Sequence, residues 1–317
     1  MTDPDGEATS SAPPDELRPL GFGEILERVF KICWSQAKTF LAIVGILIVP
    51  ANLIFVAAFF VVPPELLAAM EPYSTVEPDI EPYIVRLIAA GVVALVGMLL
   101  LMLGTAAATG AAYVAAEASH AGLTITWSQA LRTGMRRMFS ILWIYFVTGM
   151  GLFLSFIIVL APGLAAIVID QNVGSILAIV FTTLAAFTVS GWLWLSWIFG
   201  AAVVMTEEER GTKALRRSYN LIKGRFWWTG GIVFTAMVIA SFLGGIFTLP
   251  VAFASFTVLG DNIILDLAVR SIANVLGLLL SFPLQITALA LLFVDARVVK
   301  EGLSKEQLQT EIQSSMR

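Results

Sequence analysis

"LIAAGVVALVGMLLLMLGTAAATGAAYVAA", residues 87–116, runs for thirty positions without an Asp, Glu, Lys or Arg. At a rise of 1.5 Å per residue, about 20 apolar residues cross a hydrocarbon core ~30 Å thick. Five further stretches are equally free of charge: 39–64, 138–169, 171–206, 226–260 and 271–294. Every charged side chain falls between or beyond these six. The pattern predicts an all-α fold, a polytopic membrane protein with six transmembrane helices. The spans lie at about 39–62, 87–113, 140–169, 175–205, 228–258 and 268–294.

Composition agrees. Hydrophobic residues make up 58% of the chain and charged residues 13%, with a mean hydropathy of +0.88. A soluble domain carries about 25% charged residues, so this chain cannot clothe a soluble surface. The net charge of −4 argues against general affinity for nucleic acid. A single cysteine, Cys33, excludes an internal disulfide and a cysteine-based zinc site.

Lys and Arg set the orientation. Seventeen of the nineteen fall in the N-terminal segment, the second and fourth connections, and the C-terminal tail. Only Arg86 and Arg270 fall on the other side. This predicts a plasma-membrane protein with both termini cytoplasmic. The tryptophans sit toward that same side, at Trp34, Trp127, Trp143, Trp192, Trp194, Trp197, Trp227 and Trp228. Indole favours the headgroup level. The first outer connection is acidic, with Glu65, Glu71, Glu77, Asp79 and Glu81.

"TEEERGTKALRRSYNLIKGRFWW", 206–228, holds six of the nineteen basic residues. Alone, it reads equally as a nucleic-acid patch or as a cytoplasmic skirt. Between two spans it reads as the skirt. Arg216, Arg217, Lys223 and Arg225 are then an anionic-lipid surface, each attracted by ~1 kcal/mol. The partner is the bilayer's anionic inner leaflet, and not nucleic acid.

Residues 1–17 are acidic and without apolar period, and read as a disordered tail. Residues 18–303 form the six-span domain, and 304–317 a cytoplasmic tail. Phe22, Ile25, Leu26, Val29, Phe30 and Cys33 recur at helical spacing, opposite Glu24, Glu27, Arg28 and Lys31. That is an amphipathic surface helix. A second follows at 126–139, opened by a Thr126–Gln129 capping box, and a third at 212–226. On the third, Ala214, Leu215, Ser218, Tyr219, Ile222 and Phe226 make the apolar edge. Each leads into a span with a proline in its outer part: Pro50, Pro162 or Pro250. The reading is three repeats of a surface helix plus a transmembrane hairpin, which suggests a pseudo-threefold arrangement.

Three segments carry a resemblance: "LRPLGFGEILERVFK" (17–31), "ALRRSYNLIKGRFWW" (214–228) and "DARVVKEGL" (295–303). They resemble the membrane domain that accompanies some bacterial glycerophosphodiester phosphodiesterases and its standalone relatives. That family has arginine where this chain has Val299, and tyrosine where it has Val294. The resemblance implies an architecture and no activity, since the fused enzymes do their chemistry in a soluble barrel.

Metal-dependent hydrolysis needs clustered histidines and carboxylates. The only histidine, His120, reads as an ordinary loop residue, and no carboxylate falls inside a predicted span. No G-x-S-x-G, H-E-x-x-H or Walker A sequence occurs. The expectation is no enzyme, no metal and no cofactor. Ion-coupled transport, which usually needs an ionisable group at membrane depth, is disfavoured too. Gly104, Ala108, Ala112 and Ala116 recur every fourth residue and read as a close-packing stripe. Asp295, Arg297, Lys300 and Glu301 read as surface neighbours anchoring the last span. Ser271, Asn274, Ser281 and Gln285 share a broad helix face, so this intramembrane polar face should turn toward other helices. The functional expectation is a membrane scaffold, anchor or accessory subunit with an unidentified protein partner. The alternative is a translocator or permease component for lipid or a small amphiphile.

Overall fold

The computed structural model describes residues 17–63, 66, 81–170, 172–207, 209, 211–255 and 263–316. The acidic tail, most of the acidic first connection, Arg210 and Arg317 lie outside the described residues. Every described element is helical. In chain order the α-helices are α1 (Phe22–Ser35), α2 (Ala37–Leu47), α3 (Val49–Val61), α4 (Ile84–His120, preceded by a 3₁₀ turn at Glu81–Tyr83) and α5 (Trp127–Ile169). There follow α6 (Val173–Ser196), α7 (Gly200–Thr206), α8 (Thr212–Ile222), α9 (Phe226–Ala254), α10 (Ile263–Glu301) and α11 (Lys305–Met316). Six helices or helix pairs are long and apolar enough to cross a membrane. The protein is a membrane protein.

Two spans are broken. The first is interrupted at Ile48, where Pro50 enters at the start of α3 and cannot donate to the preceding turn. The fourth is interrupted at 197–199, between α6 and α7. The second surface helix is not a separate element. Trp127–Ile169 is one continuous helix of 43 residues, with its capping box formed as Gln129 N–H donates to Thr126 Oγ1 at 3.4 Å. No glycine or proline falls between Met135 and Tyr145 to end a helix there, so surface segment and span fuse.

Packing pairs α3 with α4, α5 with α6 and α9 with α10, giving three hairpins. The α4–α5 and α4–α10 contacts join them, while α6 and α9 barely meet. The core gathers at one end, which carries both described chain ends and most of the basic residues, and is called here the basic end. From Ala106 to Ala118 every residue of α4 is buried, and so is all of α7. The small side chains allow this. A Cβ on Gly104 would lie 2.5 Å from the Leu47 carbonyl, and one on Gly134 2.3 Å from the Ala107 carbonyl. Close packing is thus what the stripe Gly104, Ala108, Ala112 and Ala116 provides; all four are buried.

Candidate functional site

The last turns of α10 hold the charges that organise the basic end. Asp295 and Arg297, two residues apart, point to different sides of the helix. Asp295 is 3% exposed and accepts two hydrogen bonds. The Leu20 backbone N–H donates at 2.8 Å and Arg225 at 2.7 Å. Arg225 in turn lies 5.6 Å from the Trp228 ring, a cation–π distance. One carboxylate thereby ties the chain ahead of α1 and the start of α9 to α10.

Arg297, 6% exposed, reaches three carboxylates. It donates two parallel bonds to Glu311 at 2.7 and 2.9 Å, and lies 3.3 Å from Glu207 and 3.4 Å from Glu301. Arg217 completes the web with paired bonds to Glu207 at 2.7 and 2.9 Å and a contact to Glu301. Its hydrogen bonds to Glu207 and Glu301 hold its guanidinium well above the ordinary arginine range. Two arginines and three carboxylates from four segments form one body. Paired, planar Arg–carboxylate geometry is the strong form of this interaction.

Other basic groups close helix ends. Arg137 donates to the carbonyls of Val204 and Met205 at 2.8 and 2.9 Å, at the end of α7. Lys300 donates to the carbonyls of Asn220 and Lys223, at the end of α8. Terminal helix carbonyls lack partners within the helix, and cations satisfy them well. Ser218 does the same for the broken fourth span. Its hydroxyl is fully buried, donates to the Ser196 carbonyl at 2.9 Å, and accepts from Phe199 N–H at 3.1 Å.

Beneath the web lies Glu117, 2% exposed, with Thr206 Oγ1 at 3.2 and 3.3 Å from its two oxygens. The sequence reading placed no carboxylate inside a span. Glu117 lies four residues past the predicted end at 113, yet on the same unbroken helix. Outside the spans, Cys33 lies 3.5 Å from Thr287 Oγ1, and burial pushes its thiol above the ordinary range.

The four residues read as a lipid surface separate into two pairs. Arg216 and Lys223 are exposed, whereas Arg217 and Arg225 are held by protein carboxylates. Asp295 and Arg297, read as surface neighbours, are buried partners of other helices. The polar face of the last span needs a correction as well. Asn274 is exposed, and Ser281 and Gln285 are half-buried. The helix that packs most extensively on α10 is α9, which meets it closely at Gly277, where a Cβ would lie 3.0 Å from the Gly244 carbonyl, and Asn274 is left outside that contact.

No group of three or more His, Cys, Asp or Glu that could hold a metal occurs among the described residues. What the arrangement does chemically is fix helix ends against each other.

Comparison with known families gives one match. The family described as "Domain of unknown function (DUF8558)" matches residues 11–314. The chain belongs to this family. The DUF8558 match takes in every residue of the web, from Leu20 to Glu311, and all six long helices. It carries no link to the phosphodiesterase-associated membrane domain. No curated protein and no solved structure matches the chain significantly.

Local spacing could not reveal the web of this DUF8558 chain. Arg217 and Glu207 are ten residues apart, Arg297 and Glu311 fourteen, and Arg225 and Asp295 seventy. One signal was present, the concentration of alternating charges in 295–301 directly behind an apolar span.

Proposed function

We propose that the protein is a non-catalytic scaffold or anchor of a prokaryotic plasma membrane, with the basic end and both termini in the cytoplasm. The observation that carries the reading is the web of Arg217 and Arg297 with Glu207, Glu301 and Glu311. Arg297 is buried and its carboxylate partners are at most a third exposed, so cutting it out of the web costs about 2–4 kcal/mol. A web of this kind suits a fixed platform better than a gate that must open in every cycle. The excess of Lys and Arg at this end supports the cytoplasmic placement. We read the three hairpins, each preceded by a basic amphipathic segment, as copies of one unit. The presence of one histidine and the absence of catalytic motifs support the non-enzymatic reading.

Two experiments test this. In a Cys33→Ser background, Asp170→Cys should react with an impermeant maleimide in intact cells, and Lys213→Cys only after lysis. Both positions are exposed, whereas Ser218 is buried and unsuitable. The reversed labelling pattern would invert the topology. For the scaffold role, cross-linking in cells followed by purification should capture a discrete protein partner. That partner should be lost in Arg297→Met and kept in Gln285→Leu.

A second reading, passage of lipid or a small amphiphile, is favoured by Gln285. Its amide opens onto an apolar groove and meets no hydrogen-bond partner among the described residues. Lipid scrambling in reconstituted vesicles that collapses in Gln285→Leu, with stability unchanged, would replace the scaffold by a translocator.

A further inference from the structure

The hairpin of α5 and α6 and the hairpin of α9 and α10 touch at the basic end. A Cβ on Gly230 would lie 2.9 Å from the Leu195 side chain. Farther along the helices a narrow groove lies between them. Trp194 and Ile198 form one wall, Val233 and Met237 the other, and α10 the floor with Gln285 and Leu289. Its volume is about 60 Å³. A helix, with a diameter of roughly 10 Å, cannot enter so narrow a space, whereas an unbranched hydrocarbon chain can.

Both walls of the groove run toward the α8–α9 connection. Ser218 pins α8 onto the break whose Ile198 lines one wall, and α9, the other wall, begins three residues after Lys223. Arg216 and Tyr219 on α8 and Lys223 just past its end follow one another at offsets of three and four, and so lie toward one side. That side is the exposed one, since Ala214, Leu215, Ser218, Leu221 and Ile222 are buried. Arg216 and Lys223 have no ion-pair partner among the described residues, in contrast to Arg217 and Arg225.

We propose that the groove holds a few methylenes of one acyl chain of an anionic phospholipid whose headgroup lies on Lys223 and Arg216. Seven of the eight lining residues are apolar, so the chain gains contact and loses nothing that bilayer neighbours supply. The exposed Arg216 and Lys223 select the headgroup. Gln285 is the one unfavourable patch of wall, because an amide facing a hydrocarbon chain finds no hydrogen bond. It weakens the hold, and so lets the lipid exchange. The site rests on the proposed placement of the basic end at a headgroup layer. Maleimide labelling tests that placement, and lipid retention in micelles tests the groove without reference to sidedness.

The experiment is native mass spectrometry of the purified protein after equal delipidation, with phosphatidylglycerol or phosphatidylcholine added back. The wild type should keep one phosphatidylglycerol in preference to phosphatidylcholine. Arg216→Gln with Lys223→Gln should reduce that preference by roughly fivefold per charge removed. Both positions are exposed, so this variant leaves the packed core untouched. Met237→Trp, from a residue 41% exposed, should fill the groove and lose the retained lipid whatever its headgroup. Gln285→Leu should raise retention of both lipids. Full retention in Met237→Trp, or an intact headgroup preference in the double variant, would overturn the site.

Discussion

One helix passes through two different environments. Between Ile84 and Leu103, α4 buries only Ala90 and Gly97; from Ala106 to Ala118 it buries every residue. Both halves are rich in apolar side chains, so hydrophobicity alone does not distinguish them. Size does. The exposed half is built of Leu, Val and Met, which present bulk to lipid tails, and the buried half of Ala and Gly, which let other helices come close. At 37 residues the helix is about 56 Å long, well beyond the ~30 Å of hydrocarbon it has to cross. The surplus sits in the basic end, where packing and ion pairs replace lipid contact.

The charges differ in the same way. Asp266 and Arg270, at the opposite end of α10, pair at i,i+4 spacing at 2.7 Å, with the arginine 47% exposed. Arg297, near the other end of the same helix, is 7% exposed at its side chain and serves three carboxylates. A pair that water can replace contributes little, and a pair that water cannot reach strands its partner when cut.

The sharpest way to break this comparison is Arg297→Met. It should lower stability by about 2–4 kcal/mol, read as a thermal shift in detergent, because Glu311 loses its paired donor while Glu207 and Glu301 keep only Arg217. A loss below ~1 kcal/mol would show the web to be solvated and the two ends alike. Next comes a pair of glycines on α5. Gly134→Ala forces a Cβ against the Ala107 carbonyl and should cost about 1–3 kcal/mol. Gly149→Ala meets nothing within 4 Å and should stabilise by roughly 0.5–1 kcal/mol through helix propensity. Equal effects would mean that α4 and α5 do not pack as closely as described.

Ser218→Ala should cost about 1–3 kcal/mol, since it leaves the Phe199 N–H and the Ser196 carbonyl buried without a partner. Hydrogen exchange at residues 196–200 should rise with it. A thermal loss without local exchange would place the effect elsewhere. The smallest effect belongs to Arg270→Met, under ~1 kcal/mol and reduced further by salt. If it matched Arg297→Met, exposure would not be what separates the two arginines.

Much of the fold was readable in advance. Six apolar segments, their order and the Thr126–Gln129 cap follow from charge-free length and local spacing, which depend on neighbours in the chain. The helix breaks at Ile48 and 197–199 were not readable, nor was the fusion of the second surface segment with its span. Of the lipid-facing candidates, Arg216 and Lys223 are exposed as expected, while Arg217 and Arg225 meet Glu207, Glu301 and Asp295. Nothing in a basic run says which of its members will find a carboxylate, because the nearest such partner, Glu207, is ten residues from Arg217 while Asp295 is seventy from Arg225 and Glu301 lies farther still from Arg217.

The polar face of the last span shows the same limit. Angular arithmetic puts Asn274 and Gln285 on one side of α10, and that geometry is local. Whether the side is covered depends on which helix lies there, and α9 covers less of it than the cost of a lipid-facing amide suggests. The sequence by itself determined that this chain lives in a membrane as six helices, because hydrophobic transfer acts on each segment independently. Only the tertiary structure decided which charges are buried, which small residues touch and where a groove stays open. Those outcomes depend on pairs of residues that are brought together by packing and not by spacing along the chain.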